Sequence, residues 1–161
     1  MIKTISLNKE ERIKIENNWN SHITVKSLGV KIDLSNDDFI KLVLENPKPV
    51  HRGGIGTDAI NGGILSALFD LSIGLIAIVN SDNHRVATIQ LNINFVKPVK
   101  GDSLFAEARL IKKGKNLIFG RAEIFDEKGD LCAYCDGISG LDKSKPQVKE
   151  VLSNDNVVMY I

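Results

Sequence analysis

Histidine is scarce in this sequence, cysteine is scarcer, and neither sign of charge prevails: three His, two Cys, 21 Lys and Arg against 20 Asp and Glu in 161 residues. The charge balance removes the electrostatic case for a nucleic acid or membrane-surface partner. Local basic turns can still hold a small anion. The two cysteines, Cys132 and Cys135 in "LCAYCDG", have the C-x-x-C spacing of a redox or zinc site. No second C-x-x-C or His pair completes a zinc set. The pair falls in a strand pattern, where side chains three apart point to opposite faces. The expectation is two reduced thiols packed in a sheet, with no metal and no cofactor. The first 22 residues lack the apolar core of a signal peptide. The most apolar run, 71–79, is too short to span a bilayer. A cytoplasmic protein is therefore expected. No repeat or low-complexity tract appears.

What is present begins with "AINGGILSALFDLSIGLIAIVNS", residues 59–81. Apolar residues lie all around the helix this segment predicts at 61–80, so burial on all sides is expected. Asp70 is the single acid in its middle, and partial burial would raise its pKa. Asn61 is placed to cap the helix. Upstream, residues 7–20 predict an amphipathic helix capped by Ser6 or Asn8, with an apolar stripe of Leu7, Ile13, Ile15 and Trp19. Residues 28–34 and 38–44 read as two strands around "SND". "ENPKPVHRGGIGTD" is a loop that lacks the Lys-Ser/Thr ending of a P-loop.

The second half supplies strands. In "VATIQLNINFV", residues 86–96, Ala87, Ile89, Leu91, Ile93 and Phe95 alternate with Thr88, Gln90, Asn92 and Asn94. Residues 103–112, 116–126 and 131–141 follow, joined at "KKGK" and "DEKGD". Glu107 and Arg109 are expected near Arg121 and Glu123, with opposite charges facing across strands. Small Gly120 and Ala122 would let the helix approach the sheet. The expected fold is α+β: one long central helix wrapped by a curved antiparallel sheet of five or six strands. The expected division is an N-terminal helix and lead-in at 1–25, a main domain at 26–142 and a C-terminal tail at 143–161.

That order resembles the hotdog fold, and the residues resemble one family within it. "NGGILSALFD" is similar to the helix-start motif of PaaI-like acyl-CoA thioesterases: His-Gly-Gly, an apolar stretch, then Asp nine residues after the His. "TIQLNINFVKPVKGDSLFAEARLIKKGKNLIFGRAEIFDEKGDLCAYCDG" resembles the family's strand block, with its Asn-x-x-Phe-x-x-Pro segment, Lys-Gly-Lys turn and Asp-Glu-x-Gly-x-Leu hairpin. The match covers roughly 50–141. Two positions depart from it. Asn61 stands where the family usually has His, and Ile55 where an Asn often lies near the substrate carbonyl.

The resemblance implies thioester hydrolysis, with coenzyme A as part of the substrate. Asp70 would serve as general base, or attack directly as nucleophile. The amides of Gly62 and Gly63 at the helix start would polarise the carbonyl, with Asn61 beside them. Gly62 matches the family's donor position. Gly62 and Asp70 are about 12 Å apart along a helix, too far for one carbonyl. Two antiparallel helices from two subunits would bring them together. A homodimer with shared sites follows, possibly a tetramer of two dimers, as is common in the family. Thr88 resembles a family position that orients the water or the acid. Leu65 and Phe69, with residues of the 38–50 segment, are candidates for the acyl pocket. His51 is the one histidine in a plausible site loop. Lys97 and Lys113, among lysines near strand ends, would meet the phosphates of the nucleotide. Two alternatives stand beside this reading: a hotdog protein that binds acyl-CoA without hydrolysing it, and a hotdog dehydratase, which needs a catalytic His that this helix lacks.

Overall fold

The structure, a computed structural model, describes residues 3–53 and 58–146. Ile55 and the end of the chain, 147–161, lie outside the described residues. Helix α1 spans Lys9–Ser21. Asn8, not Ser6, caps it: its side chain accepts from Glu11 N at 2.9 Å, and the Glu11 carboxylate accepts from Asn8 N at 3.1 Å. Ile15 and Trp19 of its stripe pack partly on the core, whereas Ile13 points to solvent. A second helix, α2 at Ile23–Leu28, replaces the expected start of the first strand. It stops at Gly29, whose φ of 66° is left-handed.

The remaining elements are β1 (Val30–Asp33), β2 (Ile40–Glu45), helix α3 (Gly62–Val79), β3 (His84–Phe95), β4 (Ser103–Lys113), β5 (Leu117–Asp126) and β6 (Leu131–Pro146). The six strands form one antiparallel sheet in the order β1-β2-β4-β5-β6-β3. One long helix held against such a sheet is the hotdog architecture. On the N-terminal side the core reaches beyond the expected central unit, with Ile5 and Val25 fully buried in it, and on the other side strand β6 runs on to Pro146.

Helix α3 sits close to the sheet because β5 and β6 offer glycines beneath it. A Cβ at Gly120 would lie 2.7 Å from Ile76 Cδ1, and one at Gly137 would lie 2.6 Å from Ile73 Cγ1. Leu65, Leu68, Phe69, Ile73, Ile76 and Val79 are buried on that side. The expected burial on all sides does not occur. Half of α3 is buried, and Gly62, Gly63 and Asp70 are exposed within this chain. By length and composition, the 18 residues of α3 would suffice to cross a membrane. Here the helix is the core element of a sheet.

Register decides three further differences. In β3 the pairing slips between Thr88 and Gln90, so that Ile89 is an extra residue, a β-bulge. Beyond a bulge the alternation changes phase. Leu91 and Ile93 therefore share the helix side with Val86 and Thr88, while Ile89 turns outward, 63% exposed. Thr88 pairs with Ser139, and Ser139 with Ile118, both of them buried. In β6 a similar slip at Cys132 turns this residue inward, so that Cys132 and Cys135 are both buried and not on opposite faces. On the outer face, Glu107 pairs with Glu123 and Arg109 with Arg121, like against like. Opposite charges meet on the diagonal and beside it: Arg109 reaches Glu123 across the strands at 3.7 Å and bonds Glu107 along its own strand at 2.6 Å, and Arg121 forms a two-pronged pair with Asp136 at 2.7 Å.

Candidate active site

The start of α3 is built from short-range bonds. Asn61 is the N-cap, and its Oδ1 accepts from Gly63 N at 2.7 Å. This bond occupies one of the two amides expected to face a ligand. The Gly62 N–H has no partner among the described residues and lies exposed. A Cβ at Gly62 would rest against the Phe95 ring at 3.5 Å, in ordinary contact, so the described packing itself does not demand glycine here. Glycine at this point lets a ligand reach the backbone.

The cap is held from behind. Asn61 N donates to His51 O at 2.9 Å, Ile60 N to Val99 O at 2.9 Å, and Gly53 N to Ala59 O at 3.1 Å. Arg52 donates from Nη1 to Asp58 O at 2.7 Å and from Nη2 to Gly101 O at 2.9 Å. Arg52 thereby ties the approach to α3 to the β3–β4 connection. Nothing in the sequence spacing marks it for that task beyond its place beside "GG".

Asp70 projects from the open side of α3, in company with half-buried Ala67, Leu71 and Gly74. It is not sunk in an oily wall. The sheet simply does not reach this side. Its carboxylate lies near enough to Cys135 to act on that thiol. Burial pushes the Cys135 thiol up to about 11, and the charges of Asp136 and Asp70 push the same way. Thr88 faces the helix side because of the Ile89 bulge, and not the opposite face that simple alternation assigns. Beside it, the buried Ser139 hydroxyl has no hydrogen-bond partner among the described residues.

Other expected site residues lie apart. Leu65 and Phe69 are 3% and 0% exposed and belong to the core. They pack against the sheet because the helix turns that side inward. His51 is buried in a single 3-10 turn, Pro49–His51, and its Nδ1 accepts from Lys48 N at 2.9 Å. Lys97 is held by Asp126 and Asp130 at 3.0 and 2.8 Å, which raises its pKa. It borders a cleft of about 220 Å³ whose lining mixes Lys100 and Lys128 with Asp126, Glu127 and Asp130. Lys113 pairs with Asp82 at 2.7 Å, just past the C-terminal end of α3 and so at the opposite end of the helix from Gly62. Among the described residues no cluster of His, Cys, Asp and Glu is arranged to hold a metal ion.

Comparison with known proteins agrees with this fold. The family model described as "Thioesterase superfamily" matches residues 58–133. A candidate esterase of Halobacterium salinarum is 30% identical over 113 residues, which cover 68% of this chain and 73% of that protein. The chain belongs to the thioesterase superfamily. The medium/long-chain acyl-CoA thioesterase YigI of Escherichia coli K12 is 21% identical over 117 residues, 64% of this chain and 75% of YigI. Among solved structures, thioesterase HI1161 of Haemophilus influenzae superposes with a TM-score of 0.71 at 20% identity, covering 94% of this chain and 100% of that one. The E. coli PaaI protein gives a TM-score of 0.69 at 20% identity, covering 81% and 95%. These two likenesses concern the fold.

Proposed function

We propose that this thioester hydrolase is an acyl-CoA thioesterase that works as a homodimer with two composite sites. The observation that carries the reading is the open side of α3. It presents one unpartnered amide at Gly62 and one exposed carboxylate at Asp70, about 12 Å apart along the helix axis. Among the described residues of its own chain, neither group has a partner for the reaction. A second helix running antiparallel would set the Gly62 amide of one subunit opposite Asp70 of the other. Strand β3 supports that arrangement. It lies at the edge of the sheet, is 12 residues long, and exposes Ile89 and Phe95. A long apolar edge is a surface proteins cover.

In this reading the thioester oxygen accepts from the Gly62 N–H, which stabilises the charge that develops there. Asp70 removes a proton from water as the water attacks the carbonyl carbon, or attacks that carbon itself. When the tetrahedral adduct collapses, the C–S bond breaks and coenzyme A leaves as the thiolate, which takes up the proton that Asp70 removed from water. In the nucleophilic version the collapse leaves an Asp70–acyl anhydride, which water then hydrolyses, restoring the carboxylate and supplying the proton for the thiolate. Free acid and CoA result. Thr88, on the helix side of β3, would orient the water or the acid. With Leu65 and Phe69 in the core, the acyl chain is assigned to the space beside Ala67, Leu71 and Gly74. Lys97 and Lys113 remain proposed phosphate contacts, each of which would have to exchange an acidic partner for the nucleotide. The proposed compartment is the cytoplasm, where the two free thiols stay reduced. A tetramer of two dimers would bury the charged outer face.

One observation favours a second reading, a protein that binds acyl-CoA without turnover. Asn61 uses its side chain to cap Gly63, and so offers no imidazole to the carbonyl. Release of free CoA, measured across acyl chain lengths with wild type and Asp70→Asn, separates the two. Tight acyl-CoA binding with no release from wild type would replace the first reading by the second.

A further inference from the structure

His51 is a titratable side chain buried in the Pro49–His51 turn. It is 3% exposed, beneath Gly29 at the α2–β1 junction and next to Leu44 of β2. Gly29 lies over the ring: a Cβ there would stand 3.4 Å from His51 Cε1. Its Nδ1 accepts the Lys48 amide proton at 2.9 Å, which puts the proton of the neutral ring on Nε2. Its main chain closes the same turn: His51 N donates to Lys48 O, and His51 O accepts from Asn61 N, both at 2.9 Å. One residue thus joins the turn to the N-cap of α3.

We infer that His51 is a positioning residue: its unprotonated Nδ1 holds the 48–52 turn, whose carbonyl fixes Asn61 and thereby the Gly62 amide. The inference rests on the proposed role of that amide in polarising the thioester. Protonation at Nδ1 would set two donors face to face, N–H against N–H, and the turn would have to move. The charged groups that bear on the ring are Lys48 and Arg52 of its own segment, both cationic. Gly29, which lies over the ring at the α2–β1 junction, and Leu44 of β2, which reaches the same spot, carry no charge. Burial first, then Lys48 and Arg52, hold its pKa below the ordinary 6.5. The unfolded chain therefore binds the proton more readily than the folded one. His51's contribution is full above that value and is lost as the pH falls below it.

The test uses the full chain in two measurements. In the first, amide resonances of Lys48, Asn61 and Gly63 are followed by NMR from about pH 7.5 down to pH 5. They should shift with the same midpoint as the His51 ring, and the Asn61 and Gly63 movement should vanish in His51→Asn, whose side-chain oxygen accepts near the Nδ1 position without titrating. In the second, acyl-CoA turnover is compared. His51→Phe should lower kcat by about 10- to 100-fold, the scale of a slightly misplaced reacting group. His51→Asn should restore most of it and remove the acid-side fall that tracks the ring. Amides at Asn61 and Gly63 that ignore His51 protonation would overturn the inference. So would a His51→Asn pH profile identical to wild type. Linked amide shifts in a protein without any thioesterase activity would leave His51 as the holder of the cap and refute the proposed reaction instead.

Discussion

The side of α3 that meets the sheet and the side that faces away are built from similar small and aliphatic residues, yet they answer to different constraints. Against the sheet, Ile73 and Ile76 occupy the space left by Gly120 and Gly137, with closest approaches that would not admit a single methyl. On the other side, a Cβ added at Gly74 would meet nothing within 4 Å. A helical glycine costs about 1 kcal/mol relative to alanine, and within this chain no steric reason requires it there. Space on one side is set by the chain's own packing. On the other side it is left for something outside the chain. Stability therefore resides in the first side and the proposed chemistry in the second, and substitutions should separate the two.

The largest effect is expected on the open side. Asp70→Asn should lower thioester turnover by about 10²–10⁴-fold, the range for a lost general base. Its thermal unfolding should scarcely change, because the carboxylate is exposed. Unaltered turnover in that variant would remove Asp70 from the reaction. On the sheet side, Ile73→Ala should cost about 2–5 kcal/mol of stability, measured by urea unfolding, as large-to-small core changes do. A loss near zero would mean that the helix is not packed as described. A charge on the β3 edge, Ile89→Lys, should leave the fold intact and shift the mass measured by light scattering from dimer toward monomer. A dimer of undiminished stability would place the subunit contact elsewhere. The smallest effect belongs to the helix start: Asn61→Ala should cost about 1 kcal/mol through the lost bond to Gly63 N, read from the unfolding midpoint.

Much of this comparison could be read from the residues in order. The apolar periodicity located α3 within a residue or so of its ends, and the side chain that caps it was correctly expected at Asn61. The strand block was readable because each strand ends at a Gly or Lys-rich turn. Other features were not. Helix α2 has only six residues, too few to show a period. The bulges at Ile89 and Cys132 leave no local mark, since one extra residue is visible only when the partner strand is aligned beside it. Ile89 looked like a core residue and is an outer one. Thr88 looked like an outer one and faces the helix. Leu65 and Phe69 were legible as apolar, but which apolar residues of α3 line a ligand and which line the core depends on where the sheet stops.

By itself the sequence determined the long helix, its capped start, the lone acid at its centre and the order of the strands, because each depends on residues close together along the chain. Only the tertiary structure decided that Asp70 and Gly62 share an uncovered side, that a bulge turns Thr88 toward the helix, and that His51 is sealed under Gly29. These outcomes depend on strands paired across dozens of residues, where a slip of one position exchanges inside for outside.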